Sequence, residues 1–244
     1  MNAFKKKIGL AISLAAMTIA TPALADQITL GSGDVGQSFT LNYNGFSDGN
    51  IISGLTGSTT FTLTSATPTS YAFDYSVTNT SSGGVDSRIA SFAFNTDPTI
   101  TGAASTGDYN YTVLNSNYPN GIGTVDVCFK GGDSSSCAGN SGGVLTGDTG
   151  TGTLTLSFTG PVSEVTLSDF FLRYQSISGA GNVTSASGEG TLTSSGGTTT
   201  GGTTGGSTST GGTPVPEPGM FGLFGAGAIG LAMLRRRRKQ LKAA

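Results

Sequence analysis

Apolar and polar side chains alternate along most of the middle of this 244-residue chain. In TTFTLTS, Phe61 and Leu63 are interleaved with threonines. In YAFDYSVTN, Tyr71, Phe73, Tyr75 and Val77 fall on one face, with Asp74, Ser76 and Thr78 on the other. Ala90, Phe92 and Phe94 repeat the pattern in RIASFAFN, as do Val125, Val127 and Phe129 in TVDVCFK and Leu154, Leu156 and Phe158 in TGTLTLSFTG. Tyr109, Tyr111 and Val113 in YNYTVL read the same way. Successive side chains of a strand point to opposite faces, so a period of two predicts half-buried strands. Clusters such as SDGN, TSSGGVD, NSNYPNG, KGGDSSSCAGNSGG and SGAGN separate these runs and predict turns. The nearest approach to a helical stripe, VSEVTLSDFF, follows Pro161 and is rich in β-branched residues, so it too reads as strand or turn.

Short alternating strands divided by turn clusters predict an all-β fold. The expected form over residues 26–193 is a single antiparallel β-sandwich, jelly-roll-like or immunoglobulin-like, with roughly eight to ten strands. The chain has no Trp, so an immunoglobulin-type Cys…Trp…Cys core is excluded. Cys128 and Cys137 are too close in sequence to bridge two sheets. Strand parity puts Cys128 on the polar face with Asp126 and Lys130, so the pair is expected at a surface loop.

The alternation stops at both ends. Residues 1–25 combine Lys5, Lys6 and Lys7, an apolar stretch from Ile8 to Ala20, and the small-x-small site Ala23-Leu24-Ala25. This is the pattern of a secretory signal peptide, with the mature chain starting at Asp26. Residues 194–213 contain only Gly, Ser and Thr, a composition that cannot bury a core. They read as a tether, with hydroxyls open to O-glycans. In residues 214–244, PVPEPG precedes an apolar run from Met220 to Leu234 and the basic cluster Arg235, Arg236, Arg237, Arg238 and Lys239. The run spans ~22 Å as a helix, against ~30 Å for a hydrocarbon core, so it reads as a short transmembrane helix with a cytoplasmic C-terminus.

Removing the ends changes the charge. The whole chain carries −2, but residues 26–213 hold 13 acidic side chains against Arg88, Lys130 and Arg173, a net of 3 − 13 = −10. So acidic a domain is unsuited to binding nucleic acid or anionic lipid, both of which need cations.

Candidate chemistry is sparse. There is no His, which excludes Ser-His-Asp and Cys-His nucleophiles and leaves Lys130 as the sole lysine base of the domain. Paired carboxylates stay open for sugar hydrolysis, the two domain glutamates being Glu164 and Glu189. Loops GSGD (31–34), SDGN (47–50), NTDP (95–98) and GDTG (147–150) could offer oxygen ligands to calcium. None has the EF-hand spacing, and turn capping is the simpler role for these residues. No catalytic residue and no resident cofactor are expected, with calcium as the one candidate ion. Exposed aromatics could form a glycan-binding face, but Tyr71, Tyr75, Tyr109 and Tyr111 share strand faces with core-type residues. A redox C-x-x-C is absent and zinc lacks ligands, so Cys128 and Cys137 are expected to form one structural disulfide in an oxidising compartment.

The tail resembles that of the PEP-CTERM family of exported bacterial proteins. Val215, Pro216, Glu217 and Pro218, the short apolar segment and the basic stop from Arg235 to Lys239 carry the likeness. The resemblance implies a Gram-negative bacterium whose exosortase reads this signal in the inner membrane and cuts near it. The chain would pass the secretory translocon and signal peptidase, then move from the inner membrane to the cell surface or extracellular matrix. Within the domain, TVDVCFKGG…C, LTLSF, FLRYQSI and RIASFAFNTDP resemble the cistern family PEP-CTERM proteins, which carry a similar cysteine pair and imply no activity. The function expected is a non-enzymatic surface or matrix protein associated with exopolysaccharide or biofilm. The alternative is a lectin-like, calcium-dependent glycan-binding module.

Overall fold

The computed structural model describes residues 26–193 except Asn140. Twelve strands run through the described residues: β1 Gln27–Gly31, β2 Ser38–Ser47, β3 Asn50–Thr67, β4 Ser70–Asn79, β5 Asp86–Asp97, β6 Gly102–Ser105, β7 Tyr111–Tyr118, β8 Gly123–Lys130, β9 Val144–Leu145, β10 Thr149–Ser157, β11 Glu164–Ser178 and β12 Ser185–Thr193. All pair antiparallel in one sheet of order β6-β10-β4-β3-β2-β12-β11-β5-β8-β7, with β1 added on β11 and β9 on β5. The described domain is therefore all-β and antiparallel, as the alternation predicts. Its two layers are parts of one continuous, barrel-like sheet, joined where β12 lies between β2 and β11.

The period-two residues form the interior. On β4, Tyr71, Phe73, Tyr75 and Val77 are all buried. Phe61 on β3 reaches across to Phe92 and Phe94 on β5 and to Phe170 on β11, at ring-centroid distances of 5.8, 6.0 and 6.1 Å. Phe92 stacks on Phe129 of β8 at 5.1 Å. These contacts hold the two halves of the sheet face to face, each ring contributing roughly 1.5–3 kcal/mol by burial.

Strand β11 lets one sheet serve both layers. Its register against β5 slips between Ser168 and Phe171, again between Arg173 and Tyr174, and again between Gln175 and Ser178. Asp169 and Ser176 there take positive φ values of 52°. Such bulges bend and twist a strand. Phe170 consequently faces the interior, while Phe171 faces outward and packs on a second cluster of Ala93, Tyr118, Val125, Cys128 and Cys137.

Two expectations are corrected. Tyr109 lies in a short 3-10 turn, buried, and Tyr111 at the start of β7 is 40% exposed. The two do not share a strand face, because the turn intervenes. Cys128 and Cys137 are both fully buried, not at a surface loop. Parity places Cys128 on the outer face of β8 correctly, but that face is itself covered.

Candidate functional site

The outer face of the β8-β5-β11-β12 region is organised in two cross-strand rows. The register sets Val113, Cys128, Ala93 and Phe171 side by side on β7, β8, β5 and β11. The next row is Tyr111, Lys130, Ser91, Arg173 and Ser187. The apolar row is sealed by Tyr118, whose ring lies 5.7 Å from that of Phe171, and by Cys137. The polar row is capped by the segment leading out of β8. Ser91 Oγ donates to Cys137 O at 3.1 Å, and Lys130 Nζ donates to the carbonyl of Ser134 and to its Oγ at 3.0 Å.

Glycines let that segment fold back on the sheet. A Cβ on Gly142, where φ is +67°, would strike Gly131 O, and one on Gly143, at +79°, would strike Ile89 O. The glycine pairs bracketing KGGDSSSCAGNSGG are thus required by close backbone approach, and they close a neck beneath the Cys137 segment.

Two of the three cations of the domain are buried in this face: Lys130 is 1% exposed and Arg173 6%. Arg173 Nη1 donates to Ala186 O at 3.2 Å. With its amide oxygen turned toward the donors, Asn120 accepts from Ser187 N at 2.8 Å and from the same Arg173 Nη1 at 3.2 Å. Arg173 Nε has no hydrogen-bond partner among the described residues. Burial lowers the Arg173 pKa from its ordinary value, and the facing Tyr118 phenol opposes that shift. A cavity of about 340 Å³ opens here, lined by Ser134, Ser136, Ala138, Gly139, Arg173 and Gln175. Gln175 Nε2 anchors its rim by donating to Gly139 O at 2.6 Å and to Ala138 O.

The cysteines adjoin this cavity. Their side chains stand as two buried free thiols in hydrogen-bond contact. Burial pushes Cys128 well up, and its hydrogen bond to Cys137 adds to this. Cys137, receiving that hydrogen bond, is held below the usual thiol range, with help from Ser116 and the Lys130 charge.

Across the molecule, the outer face of β12-β2-β3-β4-β10 carries a bare lattice of hydroxyls. Ser38 pairs with Thr62 at 2.6 Å, Thr40 with Thr60, Thr78 with Thr149 and Thr106 with Thr153 at 2.8 Å each. Its pitch is that of the sheet, ~4.8 Å between strands and ~6.7 Å along them.

Other candidates are not brought together. Glu164 opens β11, whereas Glu189 on β12 pairs with Phe171, seven positions along β11 and so ~23 Å away. Glycosidase carboxylates stand ~5–9.5 Å apart, so these two are not such a pair. Of the calcium-candidate loops, Asp34 accepts from Gly31 N at 2.7 Å and from Gln37 Nε2 at 2.9 Å. Asp48 turns the β2–β3 hairpin at φ 49°, with Asn50 Nδ2 on its carbonyl. The Asp148 carbonyl accepts from Asn79 N at 3.0 Å. These are local turn roles, and no group of three His, Cys, Asp or Glu among the described residues is placed to hold a metal. Asp26, the expected mature N-terminus, accepts from Leu192 N at 2.7 Å. Ala23, Ala25, Val215, Pro216, Glu217, Pro218 and Arg235 to Lys239 lie outside the described residues, as do the expected transmembrane helix and linker.

Sequence reasoning does not single out the Arg173 cavity. The signal for it is the pair of glycine doublets around Cys137, together with isolated cations in a strongly acidic domain.

Comparison with known proteins bears on the tail. The family model described as the PEP-CTERM protein-sorting motif matches residues 214–238. The chain is thus an exported protein with a sorting signal, bound for the cell envelope or surface. More particularly, it carries the PEP-CTERM protein-sorting motif, which implies exosortase as its processing partner. No curated protein and no solved structure matches the chain.

Proposed function

We propose that this chain is a non-enzymatic protein of the surface or extracellular matrix of a Gram-negative bacterium, released by exosortase and associated with exopolysaccharide. The sorting motif at residues 214–238 is the observation that carries this reading. It is supported by a domain that carries rows of paired hydroxyl side chains on one outer face and contains no His to serve as a catalytic base. Signal peptidase would cut after Ala25, and exosortase near Glu217 and Pro218. The apolar run would hold the chain in the inner membrane until that second cut.

On export, the adjacent thiols of Cys128 and Cys137 would become a disulfide. Their two sulfurs join, with two protons and two electrons passing to a disulfide-bonded oxidant of the envelope, which is reduced to its dithiol. Closing so short a loop stabilises the domain by roughly 2–3 kcal/mol in the chain-entropy model.

One measurement addresses both events. Mass spectrometry of protein shed from the surface should find a C-terminus at Glu217 or Pro218 and a mass two hydrogens below that of the dithiol. Intact residues 220–244 in the mature protein would overturn the processing, and two alkylatable thiols would overturn the oxidation. Cosedimentation with the purified exopolysaccharide tests the matrix role, which fails if the protein stays in the supernatant.

A further inference from the structure

We infer that the cavity beside Arg173 is a binding site for the carboxylate of an acidic saccharide, a uronic acid within a glycan chain. The proposal rests on the exopolysaccharide reading above and names the group that would be recognised. Arg173 is more than nine-tenths buried, yet among the described residues it has neutral partners only, all of them on Nη1. Its Nε has none. Burying a cation without a counter-charge is costly, and a planar guanidinium is met best by a planar carboxylate. None of the described residues lining the cavity is acidic, in a domain where acidic side chains outnumber basic ones by 13 to 3. Lys130, held against Ser134 by its Nζ, adds a second positive charge behind the same rim.

The rest of the lining suits a sugar. Ser136 offers a hydroxyl and Gln175 its amide oxygen, the Ser134 hydroxyl being engaged with Lys130 Nζ and Ser136 O, and the volume of about 340 Å³ lies at the small end of ligand pockets. That is room for a single ring rather than a long segment. The opposite outer face carries Asp74 and no cation, so it has no charge to attract a carboxylate, whereas the Arg173 cavity has one.

The experiment is a calorimetric titration of the protein purified from its envelope. The probe is a short uronic-acid oligomer, set against the same oligomer with its carboxyls reduced to alcohols. The acidic form is expected to bind at least tenfold more tightly than the reduced form. Arg173→Gln should remove that preference. Because this change sits in a buried row, Ser136→Asp is the companion variant: it puts a like charge at the exposed mouth and should weaken uronate binding without moving the melting temperature. Equal affinity for the two oligomers, or uronate binding unaffected by Ser136→Asp, would overturn the assignment. Inorganic sulfate competing as well as the uronate would overturn it in favour of an unselective anion site. Cosedimentation with the exopolysaccharide in the absence of uronate binding would sink the cavity alone. Retention of the uncut protein in the inner membrane would sink the surface role and leave the titration result standing.

Discussion

The two outer faces of this sheet share a strand geometry and differ in everything laid upon it. On β12-β2-β3-β4-β10 many outward positions are hydroxyls bonded to one another at the surface, interspersed with the exposed Asn42, Asn44 and Asp74. On β8-β5-β11 the outward positions are covered by the segment after β8 and by Tyr118, so Cys128, Ser91, Lys130 and Arg173 are as buried as any core residue. Alternation sets which side of a sheet a residue faces. Whether that side meets water depends on what the chain later folds over it.

The contrast can be broken by substitution. Tyr118→Ala removes the ring that seals the covered face, and should cost about 3 kcal/mol or more in urea unfolding. A loss below about 1 kcal/mol would mean that this face is not a second core. Next in size is the alkaline limb of stability. Burial pushes the phenols of Tyr43, Tyr109, Tyr118 and Tyr174 above their ordinary value. Their stabilisation is fully present below the unfolded pKa of about 10 and is lost as pH rises through the folded values. The melting temperature should therefore fall above about pH 10, and more gently in Tyr118→Phe. An identical fall in that variant would remove Tyr118 from the account. The smallest effect belongs to the bare face: Thr60→Ala should change stability by no more than about 0.5 kcal/mol. A larger loss would show that the hydroxyl lattice braces the sheet.

Much of the fold is legible from side-chain alternation. The four apolar positions of YAFDYSVTN are buried as their period demands, and the turn clusters fall between strands. Joining of the two layers into one sheet is not legible, since β12 pairs with β2 and β11, both far from it in sequence. The site is less legible than the fold. Lys130 and Cys128 occupy the face that parity assigns them, but nothing local in TVDVCFK announces a cover. Tyr109 and Tyr111 mislead because two alternate residues imply a strand even where a turn separates them. The tail is the reverse case: its information is carried in linear sequence and needs no fold to be read.

The place of β12 bears on the timing of folding. A chain exported from its N-terminus delivers this strand after all the others, and β12 is the bridge between β2 and β11. Until Thr193 has cleared the membrane, no strand bridges the edges of β2 and β11, and the two halves meet only through contacts such as those of Phe61 across the core. On the proposed export route, sealing of the molecule would be deferred to the far side of the membrane, with unpaired edges on β2 and β11 waiting for the last strand. The 20 Gly, Ser and Thr residues that follow, 194–213, would give that strand room to dock while the tail is still in the bilayer. On that proposal the spacer would serve as slack for a late folding step as well as distance from a surface.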